Sequence, residues 1–206
     1  MMTGANESEA ASRAAADIGR SLVVISGPSG AGKTTVCREV RSRLGLRVST
    51  SATTRPPRAG EVDGEDYFFV TDAEFSRRAR DGEFVEHAEV FGRRYGTPLS
   101  ELARARSEGG TLLLEIDVQG GVAIKRQYPA ALAILLLPPR PEALAQRLTA
   151  RGTEAQDELR RRLDAALSEI EAARRAGCYD VEVVNDDLET AVRKVIDLIQ
   201  TWRKQA

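Results

Sequence analysis

Histidine is almost missing from this chain, and cysteine is scarce. The one histidine in 206 residues, His87, has no partner at metal-ligand spacing, and alone it is weak ground for acid–base chemistry. The two cysteines, Cys37 and Cys178, form neither a metal-binding nor a redox pattern. Cys37 reads as a small core residue, and a reduced, cytoplasmic setting is the default expectation. An excess of charge is lacking too. Thirty lysines and arginines face 31 acidic residues, so no global field points to a nucleic acid or a membrane as partner. No apolar run comes near the ~18 residues of a membrane span. Residues 1–20 lack the apolar segment of a secretory signal, and Glu7, Glu9 and Asp17 argue against an organelle transit peptide. They are expected to be a disordered extension with no catalytic role. There is no internal repeat.

What is present suits one α/β domain, with 42% hydrophobic residues in a chain too short for two full cores. Four apolar runs read as buried parallel strands: Leu22–Ser26, Thr111–Ile116, Ala133–Leu137 and Val181–Val184. Helical patterns fall between them at Thr34–Leu44, Leu99–Ser107, Gly121–Gln127, Glu142–Ala150, Thr153–Ala176 and Leu188–Lys204. That alternation predicts a parallel sheet flanked by helices, with right-handed crossovers. Residues 46–97 break it. Their short alternating runs (Arg47–Ser49, Tyr67–Val70, Phe84–Glu86, Glu89–Phe91), with a turn-rich stretch over Arg55–Glu65 and a helix at Asp72–Arg80, predict a small mixed insertion. Residues 139–176 form a second insertion, helical and rich in arginine.

Directly after the first strand stands G-P-S-G-A-G-K-T-T, Gly27 to Thr35, followed by a helical pattern. The spacing of Gly27, Gly32, Lys33 and Thr34 is that of a P-loop in its expected strand–turn–helix setting. Backbone N–H groups of Gly27, Pro28–Ala31 (the proline excepted), Gly32 and the residues through Thr35 would curl around the phosphates of a nucleoside triphosphate, helped by the helix N-terminus. Lys33 would reach the β/γ-phosphates, and the Thr34 hydroxyl would ligate Mg²⁺. Glycine is needed where the loop visits positive φ or meets a phosphate closely.

The next motif, Ser51 to Glu61, reads S-A-T-T-R-P-P-R-A-G-E. Arg55 and Arg58 flank a stiff Pro-Pro and offer two guanidinium forks to one anion. Extended to Phe69 as S-A-T-T-R-P-P-R-x-G-E-x-D-G-x-D-Y-x-F, the string closely resembles the guanylate kinase signature. So do F-V-E-H-A at Phe84–Ala88, Y-G-T at Tyr95–Thr97, E-I-D-x-Q-G at Glu115–Gly120, L-P-P at Leu137–Pro139, R-G-T-E at Arg151–Glu154 and V-N-D-D-L at Val184–Leu188. The resemblance runs in order over about residues 21–204.

It implies an α/β fold of P-loop NTPase type with a core over 21–45, 98–138 and 177–205, a GMP-binding insertion over 46–97 and a helical lid over 139–176. By the same resemblance, Arg55, Arg58, Tyr67 and Tyr95 would bind the phosphate of GMP. Glu86 would accept from guanine N1–H and N2–H₂, where adenine N1 would repel a carboxylate. Glu115 matches a second acidic position near the base, and Ser51 and Thr97 match hydroxyls that line it. His87, next to Glu86, should point to the other face of its strand. In the lid, Arg147, Arg151 and Arg162 match arginines that close over ATP and the transferring group. Asn185 matches an adenine-side contact, with a strand-end turn former as the alternative. Asp117 ends an apolar strand where an acid would stand near the Mg²⁺ shell; satisfying loop N–H groups is the alternative.

The implied reaction is ATP + GMP ⇌ ADP + GDP, Mg²⁺-dependent, in purine nucleotide metabolism and GMP recycling, with dGMP as a possible second acceptor. ATP and GMP are the partners, with no nucleic acid and no membrane. Two rivals stand beside it. One is a P-loop kinase for a sugar phosphate, against which the pair Glu86 and Glu115 speaks. The other is a non-enzymatic binding module, against which the intact Lys33 and Thr34 speak. Oligomeric state is left open.

Overall fold

The computed structural model describes residues 12–90, 92–107, 110–140, 142–145 and 156–205. A five-stranded parallel sheet forms the core. Its strands are β1 (Leu22–Ser26), β2 (Arg47–Val48), β7 (Leu112–Ile116), β8 (Leu132–Leu137) and β9 (Val181–Val184), in the order β2-β7-β1-β8-β9. Every residue of β1 and β8 is buried, as both faces of a parallel sheet must be when helices cover them. Alternation sorts the side chains. Val23 and Ile25 face a cluster with Val36 and Val40 of α2 (Lys33–Leu44) and Val192, Val195 and Ile199 of α8 (Leu188–Arg203). Leu22 and Val24 face the other way, toward Leu102 of α4 (Leu99–Ser107) and Ile124 of α5 (Val118–Gln127). The chain leaves β1 for β2 on one side and later places β8 on the other. The strand order therefore reverses at β1, and the crevice at the carboxyl ends of β1 and β7 is where ligands of such sheets bind.

Four sequence expectations need correction. The expected disordered extension does not hold for residues 12–19, which are helical (α1), with Ala15 and Ile18 packed against the Leu22/Val24 cluster; residues 1–11 lie outside the described residues. An Ala-rich segment has too little apolar pattern to announce this docking, which depends on the surface it meets. Gly19 closes the approach, because a Cβ there would lie 3.0 Å from Ala130 Cβ. Removing residues 1–19 should therefore leave kcat and KM for GMP within about threefold, yet lower Tm by about 3–6 °C through lost burial. An unchanged Tm would show that α1 contributes no packing.

Second, Arg47–Val48 is not in the insertion but pairs in parallel with Leu112–Leu113 at the edge of the core sheet. Two residues are too short a run to reveal their partner. Third, the runs at Phe84–Glu86 and Glu89–Phe91 are one strand, β5 (Phe84–Val90), forming an antiparallel hairpin with β6 (Arg93–Pro98) across Gly92 at φ 69°. Fourth, α5 starts three residues earlier than expected, because Asp117 caps it: its Oδ1 accepts from Gly120 N at 2.8 Å.

The insertion is a four-stranded sheet in the order β4-β3-β6-β5, with β3 (Ala52–Thr53) parallel to β4 (Phe68–Phe69) and antiparallel to β6. Its own small core stacks Phe75 of α3 (Asp72–Arg80) on Phe84 with ring centroids 4.6 Å apart. In the second insertion, residues 142–145 are helical (α6), and Leu144 packs against Ala166 of the long α7 (Gln156–Ala176). No helix among the described residues is long and apolar enough to cross a membrane.

Candidate active site

A cleft of about 500 Å³ opens between the core and the two insertions. Its floor is the turn after β1. Gly27, Gly30 and Gly32 hold φ of 154°, 85° and 94°, in the region that favours glycine. Gly27 is doubly constrained, since a Cβ there would fall 2.2 Å from Leu136 O of β8. The turn ends at Gly32, the residue before α2, which carries no side-chain cap. The first N–H groups of α2 thus remain for an anion. Lys33 Nζ donates back to Gly27 O at 2.6 Å and Pro28 O at 3.1 Å. Loss of solvent lowers the Lys33 pKa from its ordinary value, and Glu115, Glu169 and Asp117 oppose that shift.

Beside the loop, Thr34 Oγ1 donates to Glu115 Oε1 at the end of β7. Glu115 is thus brought to the phosphate side of the cleft as well as lining it, while Asp117 lines the same wall and caps α5. Thr34, Glu115 and Asp117 present oxygen donors, which suit Mg²⁺. Among the described residues, no three His, Cys, Asp or Glu side chains converge as a ready-made metal cage.

The opposite wall comes from the mixed sheet. Ser51, Arg58, Tyr67, Glu86 and Tyr95 all line the cleft. A register shift between Phe84 and Glu86 lets Phe84, Val85 and Glu86 be buried in succession, with exposed His87 beyond. Glu86 Oε1 accepts from Thr97 N at 3.2 Å and Thr97 Oγ1 at 2.8 Å. Desolvation pushes the Glu86 pKa up to about 7, against the Thr97 hydrogen bonds and with a smaller push from Asp117. Helix α5 reaches this carboxylate because it is bare: a Cβ on Gly120 would sit 2.9 Å from Glu86 Oε2.

Arg55 stands behind the wall. Its Nη1 and Nη2 donate to Glu61 at 2.9 and 2.8 Å, and its guanidinium lies 5.3 Å from the centre of the Tyr67 ring. Glu61 Oε2 also accepts from Arg58 N at 2.7 Å. One carboxylate therefore sets both arginines, and Arg55 lowers its pKa.

From the second insertion, Arg162 on α7 lies at the cleft, with Nη2 3.5 Å from Ser29 Oγ. Glu169, two turns on along the same helix, also lines the cleft, and burial raises its pKa. Arg147 and Arg151 lie outside the described residues. Asn185 is buried, and its Nδ2 donates to Ala31 O at 2.8 Å, so it moors the phosphate loop. Behind Asp117, Ser26 Oγ donates to Asp117 O at 2.8 Å and Tyr179 Oη to Val118 O at 3.2 Å, with the two hydroxyls 2.8 Å apart. A Cβ on Gly121 would lie 2.4 Å from Tyr179 Oη, so this glycine too is a packing requirement.

Sequence reasoning gave no role to Glu61, Glu169 or Tyr179. Glu61 stood inside a quoted motif, six residues from Arg55, and its spacing could have signalled the clasp. Glu169 and Tyr179 meet their partners only through the fold.

The arrangement joins a triphosphate-sized loop with a lysine, and a second wall with a buried carboxylate and arginines. It can hold two anions end to end and read a base. The family model described as guanylate kinase matches residues 19–202. A guanylate kinase from Fusobacterium nucleatum subsp. nucleatum is 44% identical over 183 residues, covering 89% of this chain and 97% of that protein. The crystal structure of guanylate kinase from Anaplasma phagocytophilum superposes with a TM-score of 0.70 at 31% identity, over 88% of this chain and 85% of that one. A gluconokinase from Sinorhizobium meliloti shares the fold alone, with a TM-score of 0.50 at 16% identity over 91% of this chain and 95% of that one.

Proposed function

The chain belongs to the guanylate kinase family, and from that premise we propose how its residues divide the work. The reaction is transfer of the γ-phosphoryl group of ATP to GMP, giving ADP and GDP. The observation that carries the division of labour is the two-walled cleft, with Lys33 and Thr34 on its floor and buried Glu86 across from them.

On the donor side, the loop from Gly27 to Thr35 wraps the ATP phosphates. Lys33 exchanges the carbonyls of Gly27 and Pro28 for β/γ-phosphate oxygens. Thr34, with Glu115 or Asp117 close by, would hold Mg²⁺, which would supply positive charge to neutralise the phosphates. Asn185 serves ATP indirectly, by holding Ala31 and so the loop.

On the acceptor side, Arg58, Tyr67 and Tyr95 take the GMP phosphate, with Arg55 held ready by Glu61. Glu86 accepts from guanine N1–H and N2–H₂, with Ser51 at the base edge and Thr97 steering the carboxylate. The same site could take dGMP.

Arg162, joined by Arg147 and Arg151, closes over the transferring group, where charge builds on the equatorial oxygens. Closure keeps water from accepting the phosphoryl group. No protein base is required, because a phosphate monoester with a second pKa near ~6 is already mostly dianionic at neutral pH. A cytoplasmic place in purine nucleotide turnover completes the proposal; both cysteines are free, in keeping with it.

The test is ADP formation with a panel of nucleoside monophosphates. GMP should exceed AMP, CMP and UMP in kcat/KM by at least about 10²-fold. Comparable turnover of AMP would remove Glu86 as the base reader.

A further inference from the structure

The chain enters the mixed sheet through residues 49–51 and returns to the core at α4. Along the entry, backbone hydrogen bonding changes sheets within three residues. Ser49 N donates to Leu113 O of core strand β7 at 3.0 Å, whereas Ser51 O accepts from Phe68 N of β4 at 2.9 Å. The Thr50 N–H between them joins neither sheet. It donates to Glu101 Oε2 at 3.1 Å.

Glu101 rides on α4, whose Leu102 and Ala105 are buried in the core, and its own side chain is only 2% exposed. Its other oxygen lies 3.4 Å from Arg104 and 3.9 Å from Arg47. Ser49 Oγ is buried with no hydrogen-bond partner among the described residues, so that hydroxyl adds no second tether. A part-buried backbone N–H deprived of its acceptor is costly, and the segment would shift to find one.

We infer that Glu101 is a positioning residue for the GMP site: its carboxylate ties the entry segment to the core at Thr50 and so sets Ser51, the next residue, in the cleft wall. The inference rests on the reading that GMP occupies this wall. It concerns a residue that touches no substrate and acts through the backbone of Thr50.

Three variants separate the tether from the charge. Glu101→Gln keeps an acceptor oxygen at the same reach and removes the charge. Glu101→Asp keeps the charge but withdraws the acceptor by one methylene. Glu101→Ala removes both. The KM for GMP should rise about tenfold in Glu101→Ala and about fivefold in Glu101→Asp, and stay within about twofold of wild type in Glu101→Gln. Throughout, kcat and the Kd for ATP should change by less than about threefold. A purely structural role would lower Tm and the active fraction without moving the KM for GMP. The inference is overturned if Glu101→Asp behaves as wild type while Glu101→Gln carries the defect, since the ion pairs with Arg47 and Arg104 would then be what counts. It is also overturned if KM is unchanged in Glu101→Asp, the variant closest to the native side chain, whether or not Glu101→Ala folds. Neither result touches the reading of the cleft, which Glu86→Gln tests by itself.

Discussion

Replacing Lys33 by methionine should cut kcat by about 10²-fold or more while weakening ATP binding far less. The Lys33 ammonium is held by two loop carbonyls, at 2.6 and 3.1 Å. ATP binding substitutes phosphate oxygens for those carbonyls, so the net gain in the ground state is modest. In the transition state the bridging oxygen gains charge, and a fixed cation in a water-poor cleft is worth much more there. Methionine preserves the length of the side chain and removes the charge. It also leaves Gly27 O and Pro28 O without that donor, at a cost of about 1 kcal/mol of loop stability per lost bond. Steady-state kcat and a calorimetric Kd for ATP separate these effects. Near-normal turnover would end the P-loop mechanism and return the chain to the rival reading of a binding module.

The second large effect is expected at the base. Glu86→Gln should lower kcat/KM for GMP by roughly 10- to 100-fold, the cost of setting a donor against a buried donor. The structure sharpens this expectation. Thr97 donates twice to Oε1, so in the glutamine variant the amide oxygen takes that place and the NH₂ is turned toward guanine. Discrimination against AMP should shrink, because the amide can donate to adenine N1. ATP Kd should stay the same. If the GMP/AMP ratio does not fall, Ser51 and Glu115 become the better readers.

The raised Glu86 pKa adds a pH signature with a definite sign. Its folded value of about 7 lies above its ordinary 4.5. Below pH 4.5 the carboxyl is protonated in both folded and unfolded chains, and burial costs nothing. As pH rises from 4.5 to 7, the unfolded chain releases the proton while the folded one holds it, so stability falls over that window and stays lower above it. Guanine's two donors favour the carboxylate, so GMP binding near pH 7 should release a proton. Calorimetry of GMP binding in buffers of different ionisation enthalpy should show that release in wild type and less of it in Glu86→Gln. Equal proton release in both would assign it to the phosphate of GMP alone.

The parts of the fold visible in the sequence are those whose physics is local. Three buried strands, β1, β7 and β8, follow from continuous apolar runs, and the phosphate loop from glycine spacing; Val181–Val184 is a strand as expected but not a buried one, because it forms the sheet edge and Val184 is exposed. The α3 helix has the bounds expected from the sequence, Asp72–Arg80, and the structure shows Thr71 capping it by accepting from Glu74 N. What stayed hidden depends on partners far along the chain. Arg47–Val48 becomes a core strand only because Leu112–Leu113 lies beside it. The resemblance casts Asn185 as an adenine-side contact, with a strand-end turn former as the alternative; its bond to Ala31 O shows only in the fold. Glu101 looks like any helix-surface glutamate, yet it is buried against a segment 51 residues earlier in the chain. In the candidate site, Glu86 and Arg58 lie in motifs whose spacing the sequence displays, whereas Glu169 reaches the cleft only through the packing of α7.

The phosphate loop is moored at both ends. Gly27 is pressed against the carbonyl of Leu136 with no room for a methyl group, and Ala31 is held by the Asn185 amide at the end of β9. A loop pinned to two neighbouring strands has little freedom left to lose. It works as a rigid mould, so an arriving nucleotide spends little of its binding free energy on ordering this segment. On the proposed mechanism, the entropic cost of closure falls instead on the mixed sheet and the α7 side of the cleft. Among enzymes built this way, differences in nucleotide affinity should follow how easily those parts swing shut rather than the loop that grips the phosphates.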